Sequence, residues 1–262
     1  MDRVRALLVR ESSPRPPALE VAVSHALVER ASLGAIGPVL RIYRPAPTLA
    51  FGRLDALRPG FTAAAAAARE HGFEPVVRAP GGHAVAYHAG CLVVDEVIPD
   101  RDPIAGMQDR FAASGERLAA ALRALGVDAR VGRIPGEFCP GDFTVSARGR
   151  VKLVGTAQRV IRHASLLAAS VAVTGGDELR SVLADVYEAL ELGWDVETAG
   201  AIADDLPGVG LDDVERAVVS AYDWDLAEAA LDGETLALAA TLEPRHAAQA
   251  RTPGIEEAGS RG

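Results

Sequence analysis

The short connections between strand-like segments constrain the fold of this sequence more than any other feature. Segments 39–43 and 48–52 are separated by four residues, two of them proline, and segments 84–87 and 92–98 also lie four residues apart. A crossover between parallel strands needs roughly a dozen residues or more. We therefore predict an α+β fold, with a mostly antiparallel or mixed sheet packed against helices.

Helical patterns alternate with these strands. Apolar spacing predicts helices over residues 18–31, 61–71, 107–125, 177–190 and 211–231. Region 131–173 is rich in strands, with a hairpin turn at Arg148–Gly149–Arg150. We predict one α+β domain over residues 1–205, a C-terminal helical extension over 206–250, and a disordered tail over 251–262.

Composition restricts the classes of function. A chain with 49% hydrophobic and 24% charged residues has enough apolar surface to bury a core. Its net charge of −9 argues against nucleic acid or an anionic membrane as a partner. The absence of a secretory signal or a long apolar run leads us to expect a cytoplasmic protein. Two cysteines, Cys91 and Cys139, are too few for a disulfide framework.

Lys152 is the single lysine among 27 basic residues, and every other basic residue is arginine. Because arginine serves wherever a general positive charge is needed, this position stands out as one that requires a compact ammonium group. Lys152 follows the hairpin turn and has apolar neighbours, so we expect a partly desolvated amine. The alternative is that Lys152 has no special role and lies on a solvated surface by chance.

A glycine pair lies in the segment from Arg78 to His88, between two predicted strands. Adjacent glycines let a ligand approach backbone N–H groups closely, although such a pair is more often a plain hairpin turn. His83 and His88 flank the strand at an odd offset and would face opposite sides, so we expect no shared metal ion.

Cys139 lies in the turn sequence Cys-Pro-Gly-Asp-Phe. Residues 128–163 carry seven basic and three acidic side chains, and positive surroundings favour a thiolate. They would also attract a carboxylate, a phosphate or an acidic carrier protein. Cys91 begins an apolar strand, which is typical of a small core residue.

The glycine segment and the segment from Lys152 to Arg159 together resemble the lipoate–protein ligase and octanoyltransferase family, whose catalytic fold is shared with biotin protein ligases. The Cys139 turn, placed before that lysine, resembles the cysteine-dependent acyltransferase branch. The resemblance implies that residues 1–205 form the catalytic domain and that Cys139 and Lys152 are catalytic. It also implies a set of substrate-binding residues: Arg78, Gly81, Gly82, His83, Tyr87, His88, Gly155, Thr156, Ala157 and Gln158.

Two enzyme functions follow from this resemblance. One is an acyltransferase that moves an octanoyl or lipoyl group through a thioester on Cys139 and uses no cofactor. The other is a ligase that uses ATP and Mg²⁺ to form an acyl-adenylate. Family ligases usually have three consecutive glycines and a later Asn. Here Gly81–Gly82 is followed by His83, and Cys91 replaces the Asn, which favours the transferase.

The resemblance also implies the partners: acyl carrier protein or lipoyl-carrier domains, such as the glycine cleavage H protein and the E2 subunits of 2-oxoacid dehydrogenases. A non-catalytic module that binds a lipoylated partner is a third possibility, but it would need neither Cys139 nor Lys152. For the enzyme, we expect an apolar acyl channel that ends near Lys152 and is lined partly by the strands around Val76–Val77 and Val85.

Overall fold

The structure is a computed structural model that describes residues 3–248. Its strands are β1 (Arg5–Glu11), β2 (Val39–Tyr43), β3 (Thr48–Phe51), β4 (Glu74–Val77), β5 (Val85–Tyr87), β6 (Cys91–Pro99), β7 (Ala129–Val131), β8 (Val145–Ala147), β9 (Val151–Ile161), β10 (Ala164–Ala172) and β11 (Asp225–Ala229). Its helices are α1 (Pro17–Ser32), α2 (Phe61–Glu70), α3 (Met107–Ala124), α4 (Gly176–Ala189), α5 (Ile202–Asp205), α6 (Leu211–Ser220) and α7 (Gly233–Leu242).

Eight strands form the main sheet in the order β11-β1-β2-β6-β10-β9-β8-β7, and the other three form a small sheet, β4-β3-β5. In the main sheet β1 runs parallel to both β11 and β2, and the remaining neighbours are antiparallel. The small sheet has one parallel and one antiparallel pair. The predicted α+β class with a mostly antiparallel, mixed sheet is confirmed.

Helices cover both faces of the main sheet, because successive apolar side chains of its strands point to opposite sides. On β6, Leu92 and Val94 pack with α3 and α6. Val97, on the other face, packs with α1 and α7. A third apolar cluster joins the small sheet to α2 and α4. None of the helices between residues 3 and 248 combines the length and the apolar character that crossing a bilayer requires.

The predicted hairpin turn is present between β8 and β9. Arg148 and Gly149 have φ angles of 54° and 69°, and the Arg150 N–H donates to the Ala147 carbonyl at 2.9 Å. Positive φ at both central positions matches the right-handed twist of the flanking strands. The turn allows β9 to run back along β8 and places Lys152 one residue into its strand.

The prediction of a wholly helical extension over residues 206–250 is wrong. The helix expected over residues 211–231 ends as α6 at Ser220, and β11 follows and pairs with β1. Pairing with the main sheet thus overrides the helical preference of the local sequence. The division at residue 205 stays a prediction, and the expected tail over 251–262 lies outside the described residues.

Candidate active site

The Cys139 turn lies between β7 and β8 and is held at both backbone ends. The Cys139 N–H donates to the Tyr187 hydroxyl at 2.9 Å, and the Cys139 carbonyl accepts from Lys152 Nζ at 2.8 Å. The Tyr187 hydroxyl in turn donates to the Ala84 carbonyl at 3.0 Å. Cys139 is half-buried and has a φ of 41°, in the left-handed region that residues with a Cβ seldom occupy. The turn therefore holds the thiol in a fixed place.

Two N–H donors face the Cys139 sulfur. The backbone N–H of His83 lies 3.2 Å from Sγ, and Nη2 of Arg78 lies 3.8 Å away. Donors in this position stabilise negative charge on sulfur. A Cβ on Gly82 would lie 2.8 Å from Sγ and 2.9 Å from Arg78 Nη2, and its φ is +91°. Glycine is required here because the sulfur and the guanidinium approach the backbone so closely.

Lys152 lies beneath the turn, on the side of the backbone carbonyls. Its Nζ donates to Glu137 Oε2 at 2.9 Å, to the Phe138 carbonyl at 2.9 Å and to the Cys139 carbonyl at 2.8 Å. The residue is only 4% exposed, which agrees with the predicted desolvated amine. Gly155 makes room for it, since a Cβ there would be 3.1 Å from Lys152 Cε. All three N–H donors of the ammonium are thus engaged.

Glu137 is a buried organiser of the turn that sequence reasoning did not select. Besides Lys152, its carboxylate accepts from the Ile134 N–H at 3.1 Å, the Gly141 N–H at 3.4 Å and the Thr144 hydroxyl at 2.7 Å. These bonds tie the entry and exit of the turn to one carboxylate. Its position two residues before Cys139 is the only sequence signal that points to it.

Arg78 and Tyr87 form the wall behind the sulfur. Arg78 Nη1 donates to the Tyr87 hydroxyl at 3.3 Å, and Nη2 donates to the His83 carbonyl at 3.1 Å. Burial alone would lower the pKa of Arg78, but Tyr87 and Cys139 outweigh burial and raise it. Burial raises the pKa of Tyr87. The guanidinium therefore stays charged and the phenol stays protonated at neutral pH.

His88 is the one predicted site residue whose contacts lie away from the Cys139 turn. Its Nδ1 accepts from the Gly90 N–H at 3.0 Å and lies 3.7 Å from the Glu178 carboxylate. Burial lowers its pKa. The ring packs against Gly175, where a Cβ would be 2.6 Å from Cε1. The ring thus faces the start of α4, and its hydrogen bond is made with Gly90, between β5 and β6, and not with the Cys139 turn.

The remaining predicted residues form the floor between two clefts. The backbone carbonyl of Gln158 on β9 accepts a hydrogen bond from the Gly81 N–H at 3.4 Å, which ties the glycine loop to the main sheet. A cleft of about 280 Å³ opens onto Cys139, and Thr156 and Ala157 line it. A second cleft of about 320 Å³ lies across Gly81–Gly82 and is lined by His83 and Arg159. Both clefts include Gln158.

The expected acyl channel beside Lys152 is not open. The cavity there holds only about 20 Å³; Val85 and Cys91 line it, but Val76 and Val77 do not. Phe138 fills the space, since its ring centroid lies 4.7 Å from Lys152 Nζ. The apolar walls available to a chain are instead those of the Cys139 cleft: Met107, Phe111, Phe143 and Ala157. The predicted place of the channel is therefore wrong.

Each of the three acidic residues counted around Cys139 is paired with a basic residue of the same segment, and a fourth pair reaches an acidic residue outside it. Arg130 pairs with Asp128 at 2.7 Å, Arg133 with Asp142 at 3.0 Å and Arg148 with Asp205 at 2.6 Å. Lys152 pairs with Glu137. The positive charge nearest the sulfur comes from Arg78, which lies outside the segment that was counted.

Comparison with known proteins places the chain in a family. Residues 16–191 match the sequence profile described as the lipoyl protein ligase A/B catalytic domain. The chain belongs to this family. That range contains the Cys139 turn, Lys152 and the glycine segment. The matched range includes most of the segment that carries the resemblance noted in the sequence, and it includes all of the residues with a predicted chemical role.

Curated relatives in the family share a name. A Geobacillus kaustophilus octanoyl-[GcvH]:protein N-octanoyltransferase is 29% identical over 162 residues, covering 62% of this chain and 57% of that protein. An Oceanobacillus iheyensis protein of the same name is 27% identical over 221 residues, covering 80% of this chain and 78% of its own length. The match to the Geobacillus relative thus spans less than two thirds of that protein.

Solved structures show that the chain has the lipoate ligase fold. A Thermoplasma acidophilum protein assigned as a lipoate protein ligase, with bound lipoic acid, superposes with a TM-score of 0.73 at 22% identity, over 93% of this chain and 96% of its own. A lipoate-protein ligase A bound with ATP gives a TM-score of 0.69 at 24% identity, over 93% and 95%.

Cys91, the second cysteine of this family member, differs chemically from Cys139. Its side chain is 2% exposed, and burial raises the pKa of the thiol to about 12. A thiol in such a place stays protonated and unreactive. The two cysteines therefore offer a matched pair for testing which one carries chemistry.

Proposed function

We propose that this chain is an octanoyltransferase, which moves an octanoyl group through a thioester on Cys139 to a lysine of a lipoyl-carrier domain. The observation that carries the proposal is the Cys139 sulfur, which faces two N–H donors at the edge of an open cleft. The name shared by the Geobacillus and Oceanobacillus relatives supports it. The substrate-binding and catalytic roles below are part of the proposal.

The first step is attack by the Cys139 thiolate on the acyl carbonyl carbon. A carbon–sulfur bond forms, and the bond to the donor's leaving group breaks: a carrier thiol leaves as a thiolate, whereas a GcvH lysine leaves as an amine that takes a proton from water. The thioester divides one difficult transfer into two easier ones. Once the sulfur is acylated it no longer carries charge. The His83 N–H and the Arg78 guanidinium then become available to the carbonyl oxygen, where negative charge develops.

The acyl chain is proposed to lie in the Cys139 cleft. Met107, Phe111 and Phe143 supply apolar walls, and the Phe111 and Phe143 rings stack with centroids 5.9 Å apart. Burying the additional methylenes of an octanoyl group, at ~0.8 kcal/mol each, favours it over an acetyl group by about 5 kcal/mol before any costs. The cleft therefore provides a reason for a medium-chain substrate.

The proposed partners are acylated carrier domains. Octanoyl-GcvH, which forms part of the relatives' name, is the first candidate donor. An E2 lipoyl domain is the candidate acceptor. Arg53 and Arg159 line the second cleft, and the buried Nε of Arg159 has no hydrogen-bond partner among residues 3–248. Acidic side chains beside the acceptor lysine would pair with these guanidiniums. The proposed transfer requires neither ATP nor Mg²⁺.

Intact-protein mass measurement tests this proposal. The protein is incubated without ATP with octanoyl-GcvH in one arm and with the octanoyl thioester of an acyl carrier protein in the other. We expect an adduct of one octanoyl group that Cys139→Ser abolishes and Cys91→Ser leaves intact. The acetyl form of the same donor serves as a control for chain length and should react far more slowly.

The alternative ligase gives the opposite result. Full activity of Cys139→Ser with octanoate, ATP and Mg²⁺ would contradict the proposal and favour an acyl-adenylate. Equal rates with octanoyl and acetyl donors would contradict the assignment of the cleft. The donor arm that yields the adduct identifies which acylated carrier this chain accepts.

A further inference from the structure

A histidine–aspartate pair lies beside the nucleophile. His83 Nδ1 is 2.8 Å from Asp55 Oδ1, and the Asp55 carboxylate is fully buried. The other oxygen, Oδ2, accepts the Gly52 N–H at 3.1 Å. Because a carboxylate only accepts, the bond requires the proton on Nδ1, so that in the neutral imidazole the lone pair is on Nε2. Asp55 thus fixes both the tautomer and the orientation of the ring.

The lone pair of His83 faces away from Asp55, toward the second cleft. The His83 side chain is 33% exposed and lines that cleft, and its Nε2 has no hydrogen-bond partner among residues 3–248. The same residue donates its backbone N–H to Cys139 Sγ at 3.2 Å. The residue that carries this proton acceptor therefore contacts, through its backbone, the sulfur that would carry the acyl group.

Lys152 does not supply this function. Its ammonium directs its donors to Glu137 and to two backbone carbonyls. Attack of an acceptor lysine on a thioester nonetheless releases a proton, because a neutral amine becomes an amide nitrogen. Among the described residues that line the two clefts, His83 carries the one imidazole, and Asp142, the one carboxylate, is paired with Arg133 at 3.0 Å.

We propose that His83, oriented by Asp55, accepts this proton during transfer to the acceptor. The inference rests on the proposed octanoyltransferase function. The lysine nitrogen forms a bond to the thioester carbon, the carbon–sulfur bond breaks, and the N–H proton passes to His83 Nε2. Cys139 leaves as a thiolate held by the His83 N–H and Arg78. The imidazolium then releases its proton to water.

Two single-turnover measurements separate this role from a structural one. The first follows acyl-enzyme formation from the octanoyl thioester of an acyl carrier protein, whose thiolate leaves without needing a proton, and the second follows transfer from isolated acyl-enzyme to a lipoyl-carrier domain. In His83→Gln we expect formation to be nearly unchanged and transfer to fall by about 100-fold, the usual scale of general-base catalysis. Asp55→Asn should slow the same step by a smaller factor.

The pH profile of transfer provides an independent signature. In both proteins the rate should rise with pH, because the acceptor lysine must lose its proton before it attacks. In His83→Gln the rise should be steeper, since hydroxide then replaces the lost base. Hydroxylamine, a nucleophile already neutral at pH 7, should cleave the acyl-enzyme of both proteins at similar rates.

A matched control exists elsewhere in the chain. His71 Nε2 contacts Asp185 Oδ2 at 2.6 Å on the outer surface of α2 and α4, so His71→Gln removes an equivalent pair away from the sulfur. It should leave both steps unchanged. Wild-type transfer rates in His83→Gln, or equal slowing of both steps, would overturn the inference. A wild-type protein that forms no acyl-enzyme would overturn the proposed function and this inference with it.

Discussion

Lys152 acts on the nucleophile through the backbone that carries it. Its ammonium binds the carbonyls of Phe138 and Cys139 and the carboxylate of Glu137, all within 2.9 Å. The sequence predicts a direct catalytic lysine, and that role stays a prediction. The geometry supports a positioning role, in which the ammonium fixes the direction from which the thiol meets the acyl group.

Replacement of Lys152 should show this dependence. Lys152→Arg keeps the charge, but the guanidinium is planar and larger, and the space beside Gly155 and Phe138 is already filled. We expect loss of most acyl-enzyme formation and a fall in unfolding free energy of about 1–3 kcal/mol, measured by mass spectrometry and urea titration. A variant that retains half of the wild-type turnover would contradict this expectation.

Removal of the Lys152 charge gives a second, independent measure of its contribution to stability. Lys152→Met leaves Glu137 buried without its cation, which typically costs about 3–5 kcal/mol. Adding Glu137→Gln should recover part of that loss, because no unpaired charge then remains. Equal stability of the single and double variants would show that the pair contributes no coupling.

At the scale of elements, helix α7 is attached to α1 through its N-cap. The Asp232 carboxylate accepts the Thr235 N–H at 2.7 Å and pairs with the buried Arg30 of α1. The bond to Arg30, followed by that to Thr235, lowers the pKa of Asp232 to about 2. A carboxyl group whose folded-state pKa is depressed stabilises the fold above its ordinary pKa of about 4 and loses that effect as the pH falls toward 2.

Variants at Asp232 separate the cap from the charge. Asp232→Ala should lower the unfolding free energy by about 1 kcal/mol at pH 7, the usual cost of losing an N-cap. Asp232→Asn keeps a capping oxygen but no charge, so its stability should change less than that of the wild type between pH 4 and pH 2. Urea titrations at pH 7, 4 and 2 measure both, and parallel pH curves would contradict the ion-pair assignment.

The sequence predicts those elements whose periodicity and partners are local. β2 is found as predicted, and α1, α2 and α3 differ from prediction by a residue or two at their ends. β11 could not be predicted, because Asp225–Ala229 is composed of residues that favour helices and becomes a strand only by pairing with β1, more than 200 residues earlier. β1 was overlooked for the same reason.

The residues of the candidate site also divide into those that the sequence reveals and those that only the fold reveals. Cys139, Lys152 and the glycine pair are visible in the sequence because their residue types are unusual or carry chemistry. Glu137, Asp55 and Tyr187 are ordinary residue types, and only the fold pairs them with Lys152, His83 and the Cys139 N–H, respectively. The acyl channel was misplaced because no local pattern shows that Phe138 fills the space over Lys152.

At the scale of the whole molecule, the last described elements complete the structure. β11 adds an edge strand to the main sheet, and α6 and α7 cover its two faces with Val214, Val218, Ala239 and Leu242. Without them, apolar side chains such as Leu8 and Leu118 would lose their cover. Residues 206–248 are thus built into the apolar clusters on both faces of the main sheet.

Truncation tests this integration. A chain ending at residue 205 should aggregate or lose its cooperative thermal transition, because burial of apolar surface is the main term that stabilises a domain of this size. Size-exclusion chromatography and calorimetry would show it. A monomeric fragment with the melting temperature of the full chain would instead support the predicted boundary as one between independent units.

The left-handed backbone of Cys139 has a consequence for the balance between stability and activity. A residue with a Cβ at a φ of 41° costs the fold about 1 kcal/mol or more, a cost that glycine does not carry. Natural selection for stability alone would therefore place glycine there. If the strained residue is kept for its sulfur, Cys139→Gly should melt at a higher temperature than the wild type and form no acyl-enzyme. The inactive variant would then be the more stable protein.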